Sequence, residues 1–510
     1  MDGFTNGSSV FDLEDSIPIP CKSHLQATDE NELHDFVCVG FGPASLAIAV
    51  ALHDSLEAED ADIPKLDGRL PKVAFLEKQS EFAWHAGMLL EGAKMQISFV
   101  KDMATLRNPR SSFTFLNYLH VKDRLVQFTN LDTFLPQRIE FEDYLRWCAS
   151  WFDDVVQYRQ EVVEVRPEKM RSGGKLIDSF TVFSRDTATQ QITARRAKHV
   201  IICAGGRANI TRPFPEKHPR LLHSSQYAYC MPKMLTDRQA PYHIAVVGGG
   251  QSAAEIFNSL HSKYPNAATR LIIKSAALKP SDDSPFVNEI FDPDRIDPFF
   301  AKPEESRLNI IKSNKVTNYG VVRLELLEHI YQTLYMQRVR SSKEEDWQHK
   351  ILAHRSIVAV DSDLDDSLRL HVARGEQSGT VNGKGQASEI LDFDAVIVAT
   401  GYLRDSHEWL LKPARHLLPG GDVEGKKWEV TRDYKVKFEK GTVSDDAGVY
   451  LQGCCESTHG LADSLLSILS VRGGEIVQSI FGNNPSSSKG NPVRPLVNEI
   501  EGLDLGVKHI

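Results

Sequence analysis

Apolar runs separated by polar segments predict the strands and helices of an α/β protein. The run "FVCV" (36–39) comes before a glycine-rich turn, and "ASLAIAVALHDSL" (44–56) after that turn has the composition of a helix. The same order returns where "YHIAVV" (242–247) leads into "GGG" and then into "QSAAEIFNSLHSKY" (251–264). A strand, a glycine turn and a helix in this order are typical of a dinucleotide-binding fold.

Two further apolar runs end in small residues, as buried parallel strands do: "HVIICAGG" (199–206) and "DAVIVATGY" (394–402). They lie on either side of the second glycine turn. The pattern therefore predicts two Rossmann-like domains, the second inserted into the first, with the chain leaving near 206 and returning near 395. Between them, the segment 321–338 predicts a helix because apolar residues recur there at four-residue steps. These residues are Val322, Leu326, Ile330 and Leu334, with Leu327 and Tyr331 beside them.

The elements divide the chain into a discontinuous first domain, an inserted second domain, a small helical substrate region and two polar ends. The expected bounds are 30–208 and 393–482 for the first domain, 209–285 and 345–392 for the second, and 286–344 for the helical region. Residues 1–29 are expected to form a disordered leader, and 483–510 a loose C-terminal tail.

The first glycine turn has the features of a pyrophosphate-binding loop. Gly40 allows a tight turn, and Gly42 lets the backbone approach a phosphate held at the helix N-terminus. The next predicted strand, "KVAFLEKQ" (72–79), carries Glu77 near its end, where an acid accepts hydrogen bonds from a ribose. The spacing to this acid is longer than usual, and a polar insertion at 58–69 accounts for the excess.

The second glycine turn is followed by a cation instead of an acid. The three small positions of the fingerprint are filled by Gly248, Gly250 and Ala253. The next strand, "TRLIIKSA" (269–276), ends near Lys274, and with Ser252 and Arg270 nearby this lysine suits a 2′-phosphate. The turn therefore predicts NADPH in preference to NADH. A solvated lysine at a strand end is the alternative interpretation.

Composition narrows the class of protein. The chain has 510 residues, of which 41% are hydrophobic and 25% charged, as in a soluble globular protein. A net charge of −10 argues against a nucleic-acid partner, which requires a basic face. No apolar run is long enough to span a membrane, and the acidic, polar segment 1–30 lacks the features of a signal peptide. A cytosolic protein is expected, with no nucleic-acid or membrane partner.

The seven cysteines are scattered, and none forms a C-x-x-C motif. This argues against a redox-active dithiol motif and against a zinc ribbon, and no metal site is predicted. Cys38 and Cys203 lie in apolar strand-like runs and are interpreted as small core residues. The adjacent pair Cys454 and Cys455 is interpreted as structural.

Two nucleotide-binding folds in one chain indicate electron transfer between two cofactors. One dinucleotide carries electrons in, and the second uses them. The chain is therefore interpreted as a flavoprotein that binds FAD at the first glycine turn and NADPH at the second.

Four segments outside the turns narrow the chemistry. They are "EFAWHAGMLLEGAKMQISFVKDMATLRNP" (81–109), "SDDSPFVNEIFDP" (281–293), "KVTNYGVV" (315–322) and "ESTHGLADSLLSILSVRGGEI" (456–476). With these segments the chain resembles the N-hydroxylating flavin monooxygenases of the lysine/ornithine N-monooxygenase family, over about residues 34–482.

One departure from a related family supports this branch. Flavin-containing and Baeyer–Villiger monooxygenases carry the string F-x-G-x-x-x-H-x-x-x-[WY]. Here "KHPRLLHSSQY" keeps His223 and Tyr227 but has Lys217 and Pro219 where Phe and Gly would stand. The difference favours the N-hydroxylating enzymes.

The resemblance implies hydroxylation of the side-chain amine of L-ornithine to N5-hydroxy-L-ornithine, the first step of hydroxamate siderophore biosynthesis. NADPH would reduce FAD, the reduced flavin would capture dioxygen as a C4a-hydroperoxide, and the terminal oxygen would pass to the amine. The amine must be neutral to attack, although its ordinary pKa is roughly 10. A dry pocket would favour the neutral form. A homotetramer is also implied.

The resemblance also implies site residues, position by position. For the substrate they are Lys101, Asn288, Glu289, Ile290, Phe291, Asn318 and Ser464, of which Lys101, Asn288, Asn318 and Ser464 form the catalytic set. For FAD they are Gly40, Gly42, Pro43, Glu77, Lys78, Gln79, Ser80, Glu81, Phe82, Ala83, Trp84, His85, Gln96, Val162, Leu461, Ala462 and Asp463. For NADPH they are Gly249, Gly250, Gln251, Ser252, Lys274, Asn318, Tyr319 and Gly320.

Each of these roles competes with a structural one. Lys101 would bind the substrate carboxylate, because an amino acid needs a cation, but a lysine after "ISFV" could also be an ordinary surface residue. The asparagines could stabilise loops, and Trp84 and His85 could belong to a core. A helix start at 461–463 would direct its N–H groups at the flavin, where negative charge builds on reduction.

Three alternative functions remain at this point. Hydroxylation of L-lysine at N6 differs by one methylene, which is worth only ~1–3 kcal/mol of discrimination. A flavin-dependent disulfide reductase would need the C-x-x-C motif that is missing. A NADPH-sensing flavoprotein scaffold would keep both glycine turns without the other four segments.

Overall fold

The computed structural model of the chain describes residues 22–57, 65–169, 176–362, 367–375 and 389–482. The expected tail 483–510, the start of the expected leader (1–21) and parts of two predicted loops (58–64 and 376–388) lie outside these ranges. Residues 22–29 do not match the expected disorder. Leu25 is buried in the core, and the Ser23 N–H donates to the carbonyl of Trp151 at 3.0 Å.

The described residues form both β-strands and α-helices. The strands are β1 (Leu33–Val39), β2 (Val73–Leu76), β3 (Val156–Gln157), β4 (Gln160–Lys169), β5 (Ile177–Asp186), β6 (Ile192–Ile202), β7 (Arg207–Ala208), β8 (Leu221–His223), β9 (His243–Val247), β10 (Ala268–Ile272), β11 (His349–Leu352), β12 (Arg355–Asp361), β13 (Leu368–Arg374), β14 (Glu389–Phe393), β15 (Ala395–Val398), β16 (Tyr402–Leu403) and β17 (Gly448–Leu451). The α-helices are α1 (Pro43–Glu57), α2 (Phe115–Val121), α3 (Leu125–Thr129), α4 (Arg138–Ser150), α5 (Tyr227–Met234), α6 (Gln251–Lys263), α7 (Pro285–Asn288), α8 (Ile296–Phe300), α9 (Glu304–Asn318), α10 (Leu324–Arg340), α11 (Ser406–Leu410), α12 (Glu456–His459) and α13 (Leu469–Phe481).

The first sheet has the order β3-β2-β1-β6-β5-β4, and β17 also pairs with β6. The strands β3, β2, β1, β6 and β17 run parallel, whereas β4, β5 and β6 pair antiparallel. β1 and helix α1 are buried almost throughout, because α1 lies between the sheet and α13. A continuous apolar strand followed by a mostly apolar helix is what this double burial requires.

The second sheet is entirely parallel, with the order β11-β10-β9-β15-β8. The strands that form this sheet correct one prediction. The segment 393–482 was expected to belong to the first domain, but β15 pairs with β9 and β8 in the second sheet. An apolar run ending in small residues suits any parallel sheet, and its partner is set by long-range packing. The strands β12, β13 and β14 form a separate antiparallel sheet.

The two segments that connect the sheets pair with each other. The chain leaves the first sheet through β7 and comes back through β16, and these two short strands form an antiparallel ladder. The Arg207 guanidinium binds the Asp405 carboxylate across the same connection, at 3.0 and 2.8 Å. The second sheet is thus inserted into the first, as predicted, with the return at Tyr402 and not near 395.

The region 286–344 is helical, as predicted. Helix α10 carries the expected apolar face. On this face Ile330 is buried and packs into the apolar core formed by the second sheet and α6. Two residues of the predicted stripe differ: Val322 precedes the helix and forms a bridge with Pro280, and Tyr331 is exposed. Among the described residues, no helix combines the length and the apolar character that crossing a membrane requires.

Candidate functional site

The first glycine turn connects β1 to α1 at the carboxyl edge of the first sheet. Gly40 has φ +91°, and a Cβ built there would lie 2.8 Å from the carbonyl oxygen of Cys203, so glycine is required. A Cβ built on Gly42 would meet no heavy atom within 4 Å. The backbone between Gly42 and Pro43 is therefore open to a ligand, which fits the predicted pyrophosphate site.

Glu77 follows β2 and holds this turn in place. Its Oε2 accepts the N–H of Phe41 at 2.7 Å, and its Oε1 accepts the N–H of Gln79 at 2.8 Å. Each carboxylate oxygen keeps a further lone pair, so the same group can also accept a ribose hydroxyl. Glu77 thus lies beside the turn as predicted, and it has a structural role that the sequence did not reveal.

The segment after Glu77 lies along the same edge with mixed exposure. Lys78, Ser80 and Glu81 are exposed, whereas Gln79 and Ala83 are half-buried. Phe82 is buried and contacts Phe41 within the core, so only its backbone can face a ligand. Val162 lies half-buried on β4 and packs against the apolar core of the first sheet.

His85 lies beside β16, in the connection between the two sheets, and Trp84 packs next to it. Their rings lie 5.2 Å apart, and the His85 ring lies 5.7 Å from that of Tyr402 on β16. His85 is open to the cleft but surrounded by protein, and this desolvation, with the charges of Arg138 and Arg404, lowers its pKa to about 4. The imidazole is therefore neutral near pH 7 and can border a flavin without adding charge.

The second glycine turn lies between β9 and α6. Gly248 has φ +142°, and a Cβ there would overlap the carbonyl of Ala399. Gly249 and Gly250 have more space, and the nearest atom to a Cβ on Gly250 is the Cα of Gly320, at 3.6 Å. The segment "NYG" therefore lies directly over the turn, which brings two parts of the predicted NADPH site together.

Gln251 connects the turn to the helical region. Its side-chain oxygen accepts the N–H of Arg323 at 2.9 Å, and its amide nitrogen donates to Glu255 at 2.8 Å. Glu255 in turn binds Arg138 of α4 through two hydrogen bonds of 2.9 Å. This network joins the second sheet to the first through buried, charge-assisted hydrogen bonds.

Lys274 lies at the predicted phosphate edge, but Arg270 does not. Lys274 is exposed just beyond β10, whose last carbonyl (Ile272) accepts the N–H of Gly248 at 3.1 Å. Ser252 is half-buried in the first turn of α6. The Arg270 guanidinium instead donates to the carbonyls of Thr269 and Gln348, at the opposite end of the strands. It was wrong to expect Arg270 near the 2′-phosphate, because side-chain direction cannot be inferred from spacing alone.

Lys101 reaches the loop that was predicted to bind substrate. Its ammonium nitrogen lies 3.6 Å from Oδ1 of Asp292, and its side chain is 25% exposed. Ile290 is half-buried and Phe291 is buried in the same loop. A partly desolvated cation beside an apolar loop is a suitable environment for an amino-acid carboxylate.

The other polar residues of this loop already have partners. The Asn288 amide donates to the carbonyl of Asp283 at 3.0 Å, which leaves its own oxygen free to accept. The Glu289 carboxylate pairs with Arg295 on the surface. Asn288 can therefore contact a substrate through its oxygen, whereas Glu289 faces its own cation.

Tyr319 connects three predicted segments. Its hydroxyl donates to Glu456 at 2.8 Å and lies 3.4 Å from Oγ of Ser464, and the Lys315 ammonium lies 4.7 Å from its ring centre. Burial raises the pKa of Tyr319, so the hydroxyl keeps its proton. Asn318 ends α9 directly before it. Asn318, Tyr319 and Ser464 are thus neighbours, as the predicted site requires.

The turn after Gly460 is not the start of a long helix. Residues Leu461–Ser464 form one 3-10 turn, Leu466–Ile468 form another, and α13 begins only at Leu469. The expectation of a helix beginning at 461–463 is therefore wrong in form. Leu461 and Ala462 are buried against Phe291 in a small apolar cluster.

The Asp463 side chain is not available to a cofactor. It is fully buried, pairs with Arg472 at 3.0 Å and accepts the N–H of Cys455 at 2.6 Å. Burial raises the pKa of this carboxyl, and Arg472 opposes the shift. Only the backbone of Asp463 can contact a cofactor, as a partner of the predicted flavin.

Several residues of the candidate site were not predicted from the sequence. Asp292 faces Lys101, Glu456 receives the Tyr319 hydroxyl, and Arg323 donates to the carbonyl of Met95 at 3.2 Å. The last contact brings the exposed Gln96, next to Met95, towards the start of α10. Asp292 and Glu456 lie within two of the four segments that carry the family resemblance, and their position there was the available signal.

A cavity of about 330 Å³ lies behind the predicted substrate loop. Its walls include Ile290, Phe299, Ile311 and Leu461. Lys101, Asn288, Asn318 and Ser464 do not line it. The cavity is thus bordered by Ile290 and Leu461 of the predicted site, while these four other predicted residues lie outside its lining.

In the described part of the chain, His24, His53 and Glu57 bring possible metal ligands within 4.8 Å of one another. The His53 Nδ1 accepts the backbone N–H of His24 at 3.1 Å, so the neutral ring carries its proton on Nε2. That nitrogen faces Glu57 at 3.7 Å. The tautomer therefore suits a hydrogen bond to the carboxylate and not a metal.

Comparisons with known proteins find similar sequences over most of the chain. Residues 32–404 match the family model described as L-lysine 6-monooxygenase/L-ornithine 5-monooxygenase. The L-ornithine N(5)-monooxygenase of Cochliobolus heterostrophus is 60% identical over 475 residues, which cover 90% of this chain and 89% of that protein.

Two solved structures are similar in fold. The ornithine hydroxylase from Pseudomonas aeruginosa has a TM-score of 0.76 and 35% identity, and the match covers 88% of this chain and 99% of that one. The ornithine N-hydroxylase of Kutzneria sp. 744, in a structure with reduced FAD, NADP+ and L-ornithine, has a TM-score of 0.76 and 33% identity, and the match covers 88% of this chain and 99% of that one.

Proposed function

The chain belongs to the L-lysine 6-monooxygenase/L-ornithine 5-monooxygenase family, and from this premise we propose that it hydroxylates L-ornithine at N5 with FAD, NADPH and dioxygen. The observation that carries the proposal is the 60% identity, over 90% of the chain, to a fungal L-ornithine N(5)-monooxygenase. The product carries an N–OH group, which after acylation becomes a hydroxamate ligand for iron. The proposed role is thus the first step of siderophore biosynthesis.

FAD is proposed to bind at the first glycine turn. The open backbone at Gly42, the Glu77 carboxylate with lone pairs to spare, and the neutral His85 beside Trp84 fit a dinucleotide with an aromatic ring system. When bound there, the flavin supplies two-electron reduction by NADPH and activation of dioxygen. The protein supplies the position and a low-dielectric wall.

NADPH is proposed to bind at the second turn. The exposed Lys274 would pair with the 2′-phosphate, with Ser252 beside it, while Gly250 and Gly320 leave room for the chain of the coenzyme. Tyr319 keeps its proton and is anchored by Glu456, so it offers a fixed surface next to the nicotinamide ribose.

Ornithine is proposed to lie between Lys101 and Ser464. The Lys101 ammonium would bind the α-carboxylate and exchange its contact with Asp292 for the substrate. Asn288 and Asn318 would direct their oxygens at the substrate amines. Burial of the side-chain amine favours its neutral form, which has the lone pair that attacks oxygen.

Discrimination against lysine is proposed to come from pocket depth. One methylene in a hydrophobic pocket is worth ~1–3 kcal/mol, or about 10–200-fold in kcat/KM. An assay of hydroxylamine formation with L-ornithine and L-lysine side by side measures this ratio directly. A higher kcat/KM for L-lysine would contradict the proposed substrate but not the family assignment.

Self-association into a homotetramer is proposed as well. Its support is the outer face of α10, where Tyr331, Tyr335 and Val339 are 73%, 56% and 59% exposed. A row of exposed apolar side chains on one helix is typical of a surface that another subunit covers. Light scattering of the full chain measures the mass, and a monomer at all concentrations would contradict the proposal.

Replacing Lys101 tests the whole arrangement. In Lys101→Ala, reduction of the flavin by NADPH should be retained, because hydride transfer does not need the substrate carboxylate. Ornithine affinity should fall more than tenfold, a loss above about 1.4 kcal/mol, and NADPH oxidation should yield hydrogen peroxide instead of hydroxylamine. Stopped-flow absorbance, peroxide and hydroxylamine assays follow the three quantities.

The matched control is Asp292→Asn. It removes the same ion pair and leaves the cation in place, so ornithine binding should be kept or improved. If Lys101→Ala blocked flavin reduction while sparing ornithine binding, Lys101 would belong to the coenzyme site and the assignment would be wrong.

A further inference from the structure

The adjacent cysteines Cys454 and Cys455 lie directly beside the proposed active site. They follow β17, and Cys455 is the residue before α12, whose first residue Glu456 receives the Tyr319 hydroxyl. The Cys455 N–H also donates to Asp463 of the Leu461–Ser464 turn at 2.6 Å. The six described cysteines, these two included, are free thiols.

The two thiols differ in their surroundings. Cys455 is buried, and its sulfur lies 3.7 Å from the carbonyl oxygen of Leu451. Cys454 is only half-buried, and the ring of His407 and the thiol of Cys455 both act on its ionisation. One sulfur is thus partly exposed near a base, and the second sulfur belongs to the next residue.

The charges around the pair favour a thiolate on Cys454. The neighbouring Cys455 thiol, with a further contribution from His407, lowers the pKa of Cys454 to about 6. Burial and the charge of Asp463 act in the opposite direction. Burial opposes the charged form of His407, but Cys454, Glu408 and Asp405 outweigh it and raise the His407 pKa. Contact with Cys454, burial and Asp463 raise the pKa of Cys455, with Arg472 acting in the other direction, so this thiol stays protonated.

We propose that Cys454 and Cys455 form a peroxide-sensitive dithiol, in which His407 activates Cys454 and Cys455 resolves the oxidised sulfur into a disulfide. The ligand class is a hydroperoxide, with hydrogen peroxide as the simplest member. Low-pKa, accessible cysteines next to a resolving cysteine are the usual form of a redox sensor.

The chemistry balances in two steps. The Cys454 thiolate attacks one oxygen of hydrogen peroxide; the S–O bond forms, the O–O bond breaks, and the leaving hydroxide takes a proton from His407 to give water and a sulfenic acid. The Cys455 sulfur then attacks the Cys454 sulfur; the S–S bond forms, the S–O bond breaks, and hydroxide leaves with the Cys455 proton as a second water. Two thiols are oxidised and one peroxide is reduced.

Oxidation would be transmitted to the proposed active site. To join Cys454, the Cys455 sulfur must leave the carbonyl of Leu451, and this moves the residue that holds Asp463 and begins α12. Glu456 and, through it, Tyr319 would shift. We expect the disulfide form to lose most of its ornithine hydroxylation and to regain it with a dithiol reductant; this consequence rests on the proposed function, whereas the disulfide itself does not.

The experiment exposes the full-length chain to hydrogen peroxide without NADPH, removes the peroxide with catalase, alkylates free thiols and maps them by mass spectrometry. The peptide containing Cys454 and Cys455 should lose two hydrogens and escape alkylation before any other cysteine peptide reacts. Cys230 on α5 is the internal control, because it is also half-buried while burial raises its pKa. Oxidation of Cys230 at the same rate or faster would overturn the proposal.

Variants separate the three roles. Cys455→Ser should leave a sulfenic acid on Cys454 that dimedone traps, and Cys454→Ser should remove all reactivity of the peptide while keeping hydroxylation in the reduced state. His407→Gln should slow the oxidation on the order of tenfold near pH 7, since fewer thiolates form. An unchanged rate would remove His407 from the proposal.

The pH profile gives a readout that a structural role would not move. The oxidation rate should rise through pH about 6 and level off near neutrality, whereas the Cys230 rate should keep rising above neutrality because burial raises the pKa of that thiol. Parallel profiles for the two peptides would contradict an activated Cys454. If the disulfide forms but hydroxylation is unchanged, the site exists and its coupling to activity is refuted.

Discussion

The two glycine turns share one backbone plan and differ in what surrounds them. The first is closed by its own sheet: Gly40 packs under Cys203, and Glu77 binds the backbone of the turn. The second packs equally closely at Gly248, but its other side faces Gly320 of the helical region, and the cation Lys274 stands where the first turn has its acid.

The comparison separates the parts of such a turn that build the fold from those that select the ligand. The glycine at the strand end is fixed by a carbonyl of the neighbouring strand segment in both cases, so it is a requirement of packing. The residue after the next strand is free to differ, and we expect its charge to decide whether a hydroxyl or a phosphate is accepted. If NADPH binds at the second turn, as proposed, this turn must also stay accessible, because a coenzyme that delivers hydride has to be exchanged.

The largest effect is expected where a turn meets its own sheet. Gly40→Ala and Gly248→Ala each place a Cβ against a carbonyl in a backbone conformation with positive φ, which costs about 1–3 kcal/mol before the overlap is added. Both variants should lose cooperative folding or melt far below the parent chain, as measured by calorimetry.

Gly42→Ala is the matched control for this pair. Its Cβ meets nothing within 4 Å, so folding should be retained and only nucleotide retention should fall. If Gly42→Ala were as unstable as Gly40→Ala, the separation of packing from ligand binding would not hold for the first turn.

A smaller loss is expected from the acid of the first turn. Glu77→Gln keeps the shape but replaces a charged acceptor of the Phe41 and Gln79 N–H groups, at a cost of ~1.5–3 kcal/mol. FAD should dissociate more easily during gel filtration, and the loss of bound flavin absorbance measures it. NADPH affinity of the flavin-loaded fraction should not change, and an equal loss at both sites would show that Glu77 acts on the whole fold.

Acid should destabilise the second sheet through a pair of stacked histidines. Burial lowers the pKa of His261 to about 3, with His349 and His329 contributing, and burial with Arg270 lowers that of His349 to about 4. At pH values between these folded-state pKa values and the unfolded pKa near 6.5, the unfolded chain binds more protons than the folded chain. Stability is therefore constant above about pH 6.5 and should fall by about 1–2 kcal/mol per histidine towards pH 5.

His261→Phe tests this source of acid sensitivity. Neither ring nitrogen of His261 has a hydrogen-bond partner among the described residues, so the apolar ring should be tolerated. The variant should unfold in denaturant like the parent at pH 7.5 and resist it better at pH 5. Identical curves at both values would place the acid sensitivity elsewhere, for example at His199 of the first sheet, whose pKa burial lowers to about 3.

Local sequence patterns predicted the turns correctly and the long-range contacts less well. The strand, glycine and helix order, Glu77 and the edge position of Lys274 follow from short segments whose backbone needs are specific. The partner of β15 and the direction of Arg270 do not, because an apolar run fits either parallel sheet and spacing does not fix side-chain direction. The buried pairing of Asp463 with Arg472 joins residues on two separate elements, and no short motif encodes it.

The smallest expected effect is the one that addresses the comparison most directly. Lys274→Ala removes an exposed cation whose contact with a 2′-phosphate is worth about 1 kcal/mol, so the KM for NADPH should rise about fivefold while that for NADH stays the same. Because the pair is solvent-exposed, the difference should shrink at high salt. Lys274→Glu should go further and reverse the preference, since a carboxylate repels the phosphate and accepts the ribose hydroxyl as Glu77 is proposed to do in the first turn. Steady-state kinetics at two salt concentrations measures the KM values for NADPH and NADH in the parent chain and in both variants. Equal changes for NADPH and NADH would mean that the charge after β10 does not select the ligand, and that the two turns differ only in their surroundings.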